Sequence, residues 1–81
     1  MALIVRADGT TEPLRAKTAT RAKLTLKQLQ EAVGGYIEIV AHEKGLLVCN
    51  EEGLLRKLPQ NKRFPMFVGD VVICSRTEIE V

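Results

Sequence analysis

Residues 24–40, LTLKQLQEAVGGYIEIV, constrain the fold more than any other stretch, because they encode a helix, a stop and a strand in succession. Thr25 followed by Gln28 fits a capping box, in which a hydroxyl and an amide each satisfy an otherwise unpaired backbone N–H group. The Gly34-Gly35 pair provides a left-handed residue that ends the helix. The aromatic and β-branched residues 36–40 then change the hydrophobic period from about 3.6 to 2. The sequence therefore predicts a helix, a turn and a strand.

Short strands are predicted on both sides of this unit. Residues 2–5 and 10–15 form a hairpin around the two-residue turn Asp8-Gly9, and Pro13 marks the second arm as an edge strand. Downstream, the pattern predicts three further strands, at residues 46–49, 54–58 and 71–74. The turn at residues 50–53 is predicted to close a hairpin, with Gly53 left-handed in a bulge.

These elements define an α+β domain with one main helix and a mostly antiparallel sheet of about six short strands, in the order β-β-α-β-β-β-β. The 81 residues leave room for a single domain, residues 1–81. A β-grasp-like fold and a small barrel both accommodate this order, and both stay open at this point. A chain of this size buries only about 60% of its unfolded surface, so its core is marginal and a second subunit would help.

Composition narrows the class of protein. The net charge of +2 is too small to indicate nucleic-acid binding by itself. No apolar run approaches the roughly 18 residues of a membrane span, and the N-terminus lacks the basic region of a signal peptide. Cys49 and Cys74 lie in apolar strand-like runs and are predicted to be buried, reduced thiols, neither a disulfide nor a metal pair. These features predict a soluble intracellular protein.

Three motifs carry a family resemblance: LQEAVGGYIEIV, NEEGLLRKLPQN and VGDVVI, which lie in this order between Leu29 and Ile73. Together they resemble a family of small phage and prophage-encoded proteins that is catalogued as a domain of unknown function. The resemblance implies a viral or mobile-element origin and action in the bacterial host cytoplasm. It implies an accessory role, such as binding a host defence protein or sequestering a signalling nucleotide, and it transfers no catalytic residues.

A basic segment precedes and enters the predicted helix and is the first candidate ligand site. It contains no acidic residue between Pro13 and Gln30, and helix N-termini carry free N–H groups that favour anions. A phosphate of a nucleotide or of a nucleic-acid backbone would suit it, whereas the alternative is a solvated loop. The candidate residues are Arg15, Lys17, Arg21, Lys23 and Thr25.

A polar cluster around the predicted 50–53 turn is the second candidate. Asn50, Glu51 and Glu52, with Glu38 or Asn61 nearby, could hold a cation or the edge of a nucleobase or ribose; alternatively, Asn50 only caps the turn. Tyr36 follows the glycine pair and could stack on a ligand ring, or pack across the sheet.

The sequence predicts no enzyme. His42 is the only histidine and has no nearby Ser or Cys and no paired Asp in the sequence, and no metal-ligand spacing occurs. No catalytic residue, metal site or cofactor is therefore predicted. The favoured interpretation is a non-enzymatic phage protein that binds and neutralises a host protein or a signalling nucleotide, as a monomer or a homo-oligomer. The alternative is a nucleic-acid-binding module that uses residues 15–27.

Overall fold

The protein contains five strands and one α-helix in a computed structural model, which describes residues 2–15, 23–43 and 45–79. A short 3₁₀ helix, Arg76–Glu78, follows the last strand. No helix in these ranges is long and apolar enough to cross a membrane. The elements are β1 (Leu3–Val5), β2 (Thr11–Pro13), α1 (Leu26–Val33), β3 (Ile37–His42), β4 (Gly45–Asn50) and β5 (Val71–Cys74).

The five strands form one open sheet in the order β2-β1-β5-β4-β3, and every neighbouring pair is antiparallel. The predicted α+β class, with one main helix on a mostly antiparallel sheet, is confirmed. Because β2 and β3 are separate edges, the described strands do not close into a barrel. The helix contacts β3, β4 and β5, a helix-on-sheet layout like that of the β-grasp-like alternative. The β1–β5 pair in the middle of the sheet is antiparallel, like the other pairs.

The local signals around α1 are confirmed. The Thr25 hydroxyl accepts a hydrogen bond from the Gln28 backbone N–H at 3.2 Å, and the Gln28 side chain accepts one from the Thr25 N–H at 3.2 Å. At the other end Gly34 has a φ of 82°, and its N–H donates to the Gln30 carbonyl. Both ends of the helix are therefore set by residues within one turn of them.

The N-terminal hairpin is present, but its predicted two-residue turn is wrong. Arg6 and Thr10 are hydrogen-bonded to each other, which leaves the three residues 7–9 in the loop. Gly9 takes a φ of 94° and its N–H donates to the Arg6 carbonyl, the geometry of a type I turn followed by a left-handed residue. Pro13 lies in the edge strand β2, as predicted.

The predicted strand at residues 54–58 is wrong. The Asn50 side chain accepts a hydrogen bond from the Glu52 N–H, which begins a helical turn in place of a hairpin. That turn ends in a Schellman motif, in which the Leu58 N–H donates to Gly53 and the Lys57 N–H to residue 54, with Lys57 at φ 56°. The predicted left-handed Gly53 is also wrong, since Lys57 takes that conformation instead. β4 is already paired on both sides, with β3 and with β5, so residues 54–58 cannot pair with it as the second strand of a hairpin.

Apolar side chains pack on both faces of the sheet. On one face, Leu29 and Val33 of α1 pack on the strands together with residues such as Val48 and Val72. On the other face, Phe64 and Phe67, from the connection between β4 and β5, cover a smaller cluster of Val5, Cys49 and Val71. Cys49 and Cys74 are buried and free, as predicted.

Candidate functional site

Asn61 is completely buried and holds the connection between β4 and β5 against the sheet. Its amide nitrogen donates to the carbonyls of Val5 and Gly69, each at 3.0 Å. Its amide oxygen accepts from the N–H groups of Arg63 and Phe64, also at 3.0 Å. All four hydrogen bonds are made to the backbone, so the contacts of this predicted ligand residue serve the fold.

Asn50 is buried in a similar way at the end of β4. Its amide nitrogen donates to the Val33 carbonyl at 3.0 Å and its oxygen accepts from the Glu52 N–H at 2.8 Å. These bonds join the last turn of α1 to the turn after β4. Asn50 therefore caps that turn, as the alternative interpretation predicted. Its neighbour Glu51 is exposed, and the Glu51 N–H donates to the Tyr36 carbonyl.

Apart from Asn61, the predicted site residues that the structure describes fall into two groups at opposite ends of α1. A helix of eight residues is about 12 Å long. The predicted phosphate-binding and base-binding residues are therefore not brought together. Lys17 and Arg21 lie outside the described residues. The N-terminal group is Arg15, Lys23 and Thr25; the C-terminal group is Tyr36, Asn50 and Glu51.

At the N-terminal end, two polar groups are occupied by the cap. The Arg15 carbonyl accepts a hydrogen bond from the Gln28 side chain, and the Thr25 hydroxyl accepts one from the Gln28 backbone. The Arg15 side chain is exposed beside a cavity of about 290 Å³ between α1 and the N-terminal hairpin. At the other end of the helix, the Tyr36 side chain is 65% exposed.

A groove with a mainly apolar lining lies on the sheet face opposite α1. Its volume is about 450 Å³, and it lies between β3, β4 and two loops, at residues 51–55 and 66–68. Leu54, Leu55 and Met66 line it and are 82%, 83% and 70% exposed. We refer to this feature as the β3 groove.

The sequence interpretation missed Leu54 and Leu55, because it placed them in a strand. The consecutive leucines were no signal against a strand, because Leu46 and Leu47 of β4 are also consecutive and both are buried in a sheet that is covered on both faces.

The charged side chains that line the β3 groove are all acidic, namely Glu38 and Glu51. Cys49 also lines the groove, but burial raises the pKa of its thiol and the charge of Glu38 raises it further, so the thiol stays protonated. The described residues contain no cluster of three or more His, Cys, Asp or Glu side chains that could hold a metal ion. The groove therefore suits an apolar ligand that carries positive charge.

A second charged region surrounds Arg6 at the other edge of the sheet. The Arg6 guanidinium contacts Asp70 at 2.8 Å and Glu12 at 2.6 Å, and these hydrogen bonds raise the pKa of Arg6. Asp70 also accepts from the Ala7 N–H. This network joins the N-terminal hairpin to the start of β5. Because two carboxylates already neutralise its arginine, we assign this network a role in stabilising the fold.

Fold and groove together define a small α+β domain with an exposed apolar groove beside an open sheet edge. The chain belongs to the family described as Domain of unknown function (DUF3846), whose model matches residues 1–80. The resemblance to a domain of unknown function is thereby confirmed. No curated protein and no solved structure matches the chain significantly.

Proposed function

We propose that this protein is a small non-enzymatic accessory protein of phage origin that binds a host protein through the β3 groove and neutralises it in the bacterial cytoplasm. The observation that supports this proposal is the exposure of Leu54, Leu55 and Met66 around one groove. Burying a leucine side chain contributes roughly 1.5–3 kcal/mol. A partner that covers both leucines therefore gains a substantial part of a specific binding free energy.

The charge of the β3 groove favours a protein partner over a signalling nucleotide. Glu38 and Glu51 would repel phosphate groups and would attract lysine or arginine. The predicted nucleotide residues are also divided between the two ends of α1. We therefore infer that the bound segment presents apolar side chains next to basic ones.

The alternative function, nucleic-acid binding through residues 15–27, rests on the start of α1. Lys23 and Lys27 lie there, and the first turn of the helix contains no acidic residue. This alternative requires an affinity for nucleic acid that falls steeply as salt is raised, because bound counterions are released. A lack of binding at low salt would remove it.

The groove proposal is tested by capture from a lysate of the bacterial host. We expect the wild-type protein to retain a host protein that the L54S/L55S variant loses, because the variant removes the apolar anchors. The matched control is L26S, since Leu26 is also exposed but lies on α1, on the other face of the sheet. Equal capture by wild type and L54S/L55S would contradict the proposal.

The charge of the groove gives a second test on any captured protein. We expect the variant E38K/E51K to associate more slowly, because charge complementarity raises association rates. The control is E31K, which changes an exposed acid on α1. An association rate that is unchanged in E38K/E51K would contradict the inferred basic segment.

A further inference from the structure

The two edges of the sheet differ in their ability to pair with another strand. At β2, the Arg6 N–H donates to Thr10 and the Leu14 N–H to Ala2, so these residues form the hydrogen-bonded pairs with β1. In an antiparallel strand pair, hydrogen-bonded and non-hydrogen-bonded residue pairs alternate. Pro13 therefore belongs to a non-hydrogen-bonded pair, and its nitrogen faces away from β1. Proline has no N–H to donate, so the β2 edge is blocked.

The β3 edge is open. The Glu51 N–H donates to the Tyr36 carbonyl, so the even-numbered residues of β3 share hydrogen bonds with β4. By the same alternation, the backbone groups of Ile37, Ile39 and Ala41 face away from β4. No other strand of the described chain pairs with β3. The strand contains neither proline nor lysine, the residues that most often block an edge.

Exposed apolar surface is concentrated beside this open edge. Six large apolar side chains are exposed among the described residues. Leu26 lies on α1, whereas the other five lie in β3, directly before it, or in the groove next to it. These five are Tyr36, Ile39, Leu54, Leu55 and Met66. Such a concentration marks an interaction surface.

We propose that two copies of this chain pair antiparallel through β3, about a two-fold axis, and join two five-stranded sheets into one. An antiparallel strand is complementary to its own copy, and a two-fold interface uses the same surface twice. A chain of this size also has a marginal core, so added burial has a large relative effect. This inference goes beyond the proposed function and does not depend on it.

The sequence of β3 selects the register. A two-fold axis perpendicular to the sheet leaves each side chain on the same face of the joined sheet. With such an axis, either the two Ile39 residues or the two Val40 residues lie opposite each other at the centre of the strand pair. Centring on Ile39 would make the two Glu38 carboxylates diagonal neighbours on one face, which is unfavourable for like charges. Centring on Val40 separates them by four residues along the strand and sets Ile39 opposite Ala41. Val40 is therefore the centre.

This dimer would join the two β3 grooves. Val40 and Glu38 both line the groove, and the axis passes beside Val40, so the grooves of the two copies meet on the same face of the sheet. A standard interface buries about 800 Å² per partner. That is roughly one seventh of the 5314 Å² surface of this chain, so a stable dimer needs apolar side chains at the edge, such as Tyr36 and Ile39, in addition to the strand pairing.

Solution mass tests the proposal. At micromolar concentration we expect twice the chain mass of 9.0 kDa for wild type and the single-chain mass for A41P. Ala41 is exposed and its N–H faces outward, so proline removes a donor to the second copy and none to β4. The control is T11P, which makes the same change at an outward-facing residue of β2. A monomeric wild type, or a dimer that persists in folded A41P, would overturn the proposal.

A disulfide tests the register and does not depend on the proline variants. Residues opposite each other in a non-hydrogen-bonded pair have Cα atoms about 4.5 Å apart, within the range of a disulfide. We therefore expect V40C to form an intermolecular disulfide under mild oxidation and T11C to form none, with the native cysteines buried. Cross-linking of I39C in preference to V40C would overturn the register. Mass and cross-linking need no host protein, so their failure is distinct from failure of the proposed function.

Discussion

At the scale of single residues, two asparagines show how a polar sequence motif can serve the fold. Asn50 and Asn61 lie in turn-rich, charged segments, where an exposed polar side chain is the usual expectation. Both are buried, and each amide forms hydrogen bonds with backbone groups of other chain segments. An asparagine has donors and an acceptor on one short side chain, which suits it to joining two chain segments.

We expect N61A to reduce the free energy of unfolding by roughly 2–4 kcal/mol, because the backbone partners of a buried amide would be left unsatisfied. Urea denaturation measures this change. The control is Q60A, since the neighbouring Gln60 is exposed and makes one side-chain hydrogen bond, to Pro65. A loss in N61A no larger than in Q60A would contradict the structural role assigned to Asn61.

At the scale of elements, α1 and the edge strand β2 were predicted correctly because local sequence signals define them, whereas residues 54–58, which lack such signals, were not. The capping residues of α1 and the Pro13 edge strand act within a few residues of themselves. Residues 54–58 carry apolar side chains, yet the hydrogen bonds of the Schellman motif and the Asn50 cap hold them in turns. The hydrophobic pattern alone therefore misled the interpretation, because it reports how apolar a segment is and not whether a core position exists for it.

Lys57 provides the test at this scale. It occupies the left-handed position of the Schellman motif, which glycine adopts without steric cost. We expect K57G to raise the free energy of unfolding by up to about 1 kcal/mol. The control is K62G, an exposed lysine outside the left-handed region, where added backbone freedom should lower stability. A destabilised K57G would show that this motif is absent in solution.

At the scale of the whole molecule, the sheet is covered on both faces, and each face buries one thiol. Cys74 lies under α1 and Cys49 under the phenylalanines of the β4–β5 connection. Burial raises the pKa of both thiols, and Glu78 raises that of Cys74 further while Glu38 does so for Cys49. The folded protein therefore retains these protons at a pH where the unfolded chain releases them.

This difference gives a pH dependence with a defined sign. Because the folded pKa is raised, the contribution to stability is fully present below the ordinary thiol pKa of about 8.5 and is lost as the pH rises above it. We expect urea denaturation to show lower stability at pH 9.5 than at pH 7.5, and a smaller difference in the control C49A/C74A. Equal pH dependence in both proteins would contradict burial of the thiols.

The amino-acid sequence by itself determined the α+β class, both ends of α1, the N-terminal hairpin and the edge position of β2, because hydrogen bonds between near neighbours and the missing N–H of Pro13 fix these features. Only the tertiary structure decided where Asn50 and Asn61 lie and that the leucines of residues 54–55 border a groove. These outcomes depend on which segments pack on the two faces of the small sheet and which pair at its two edges. Such packing and pairing bring together residues that are far apart in the chain.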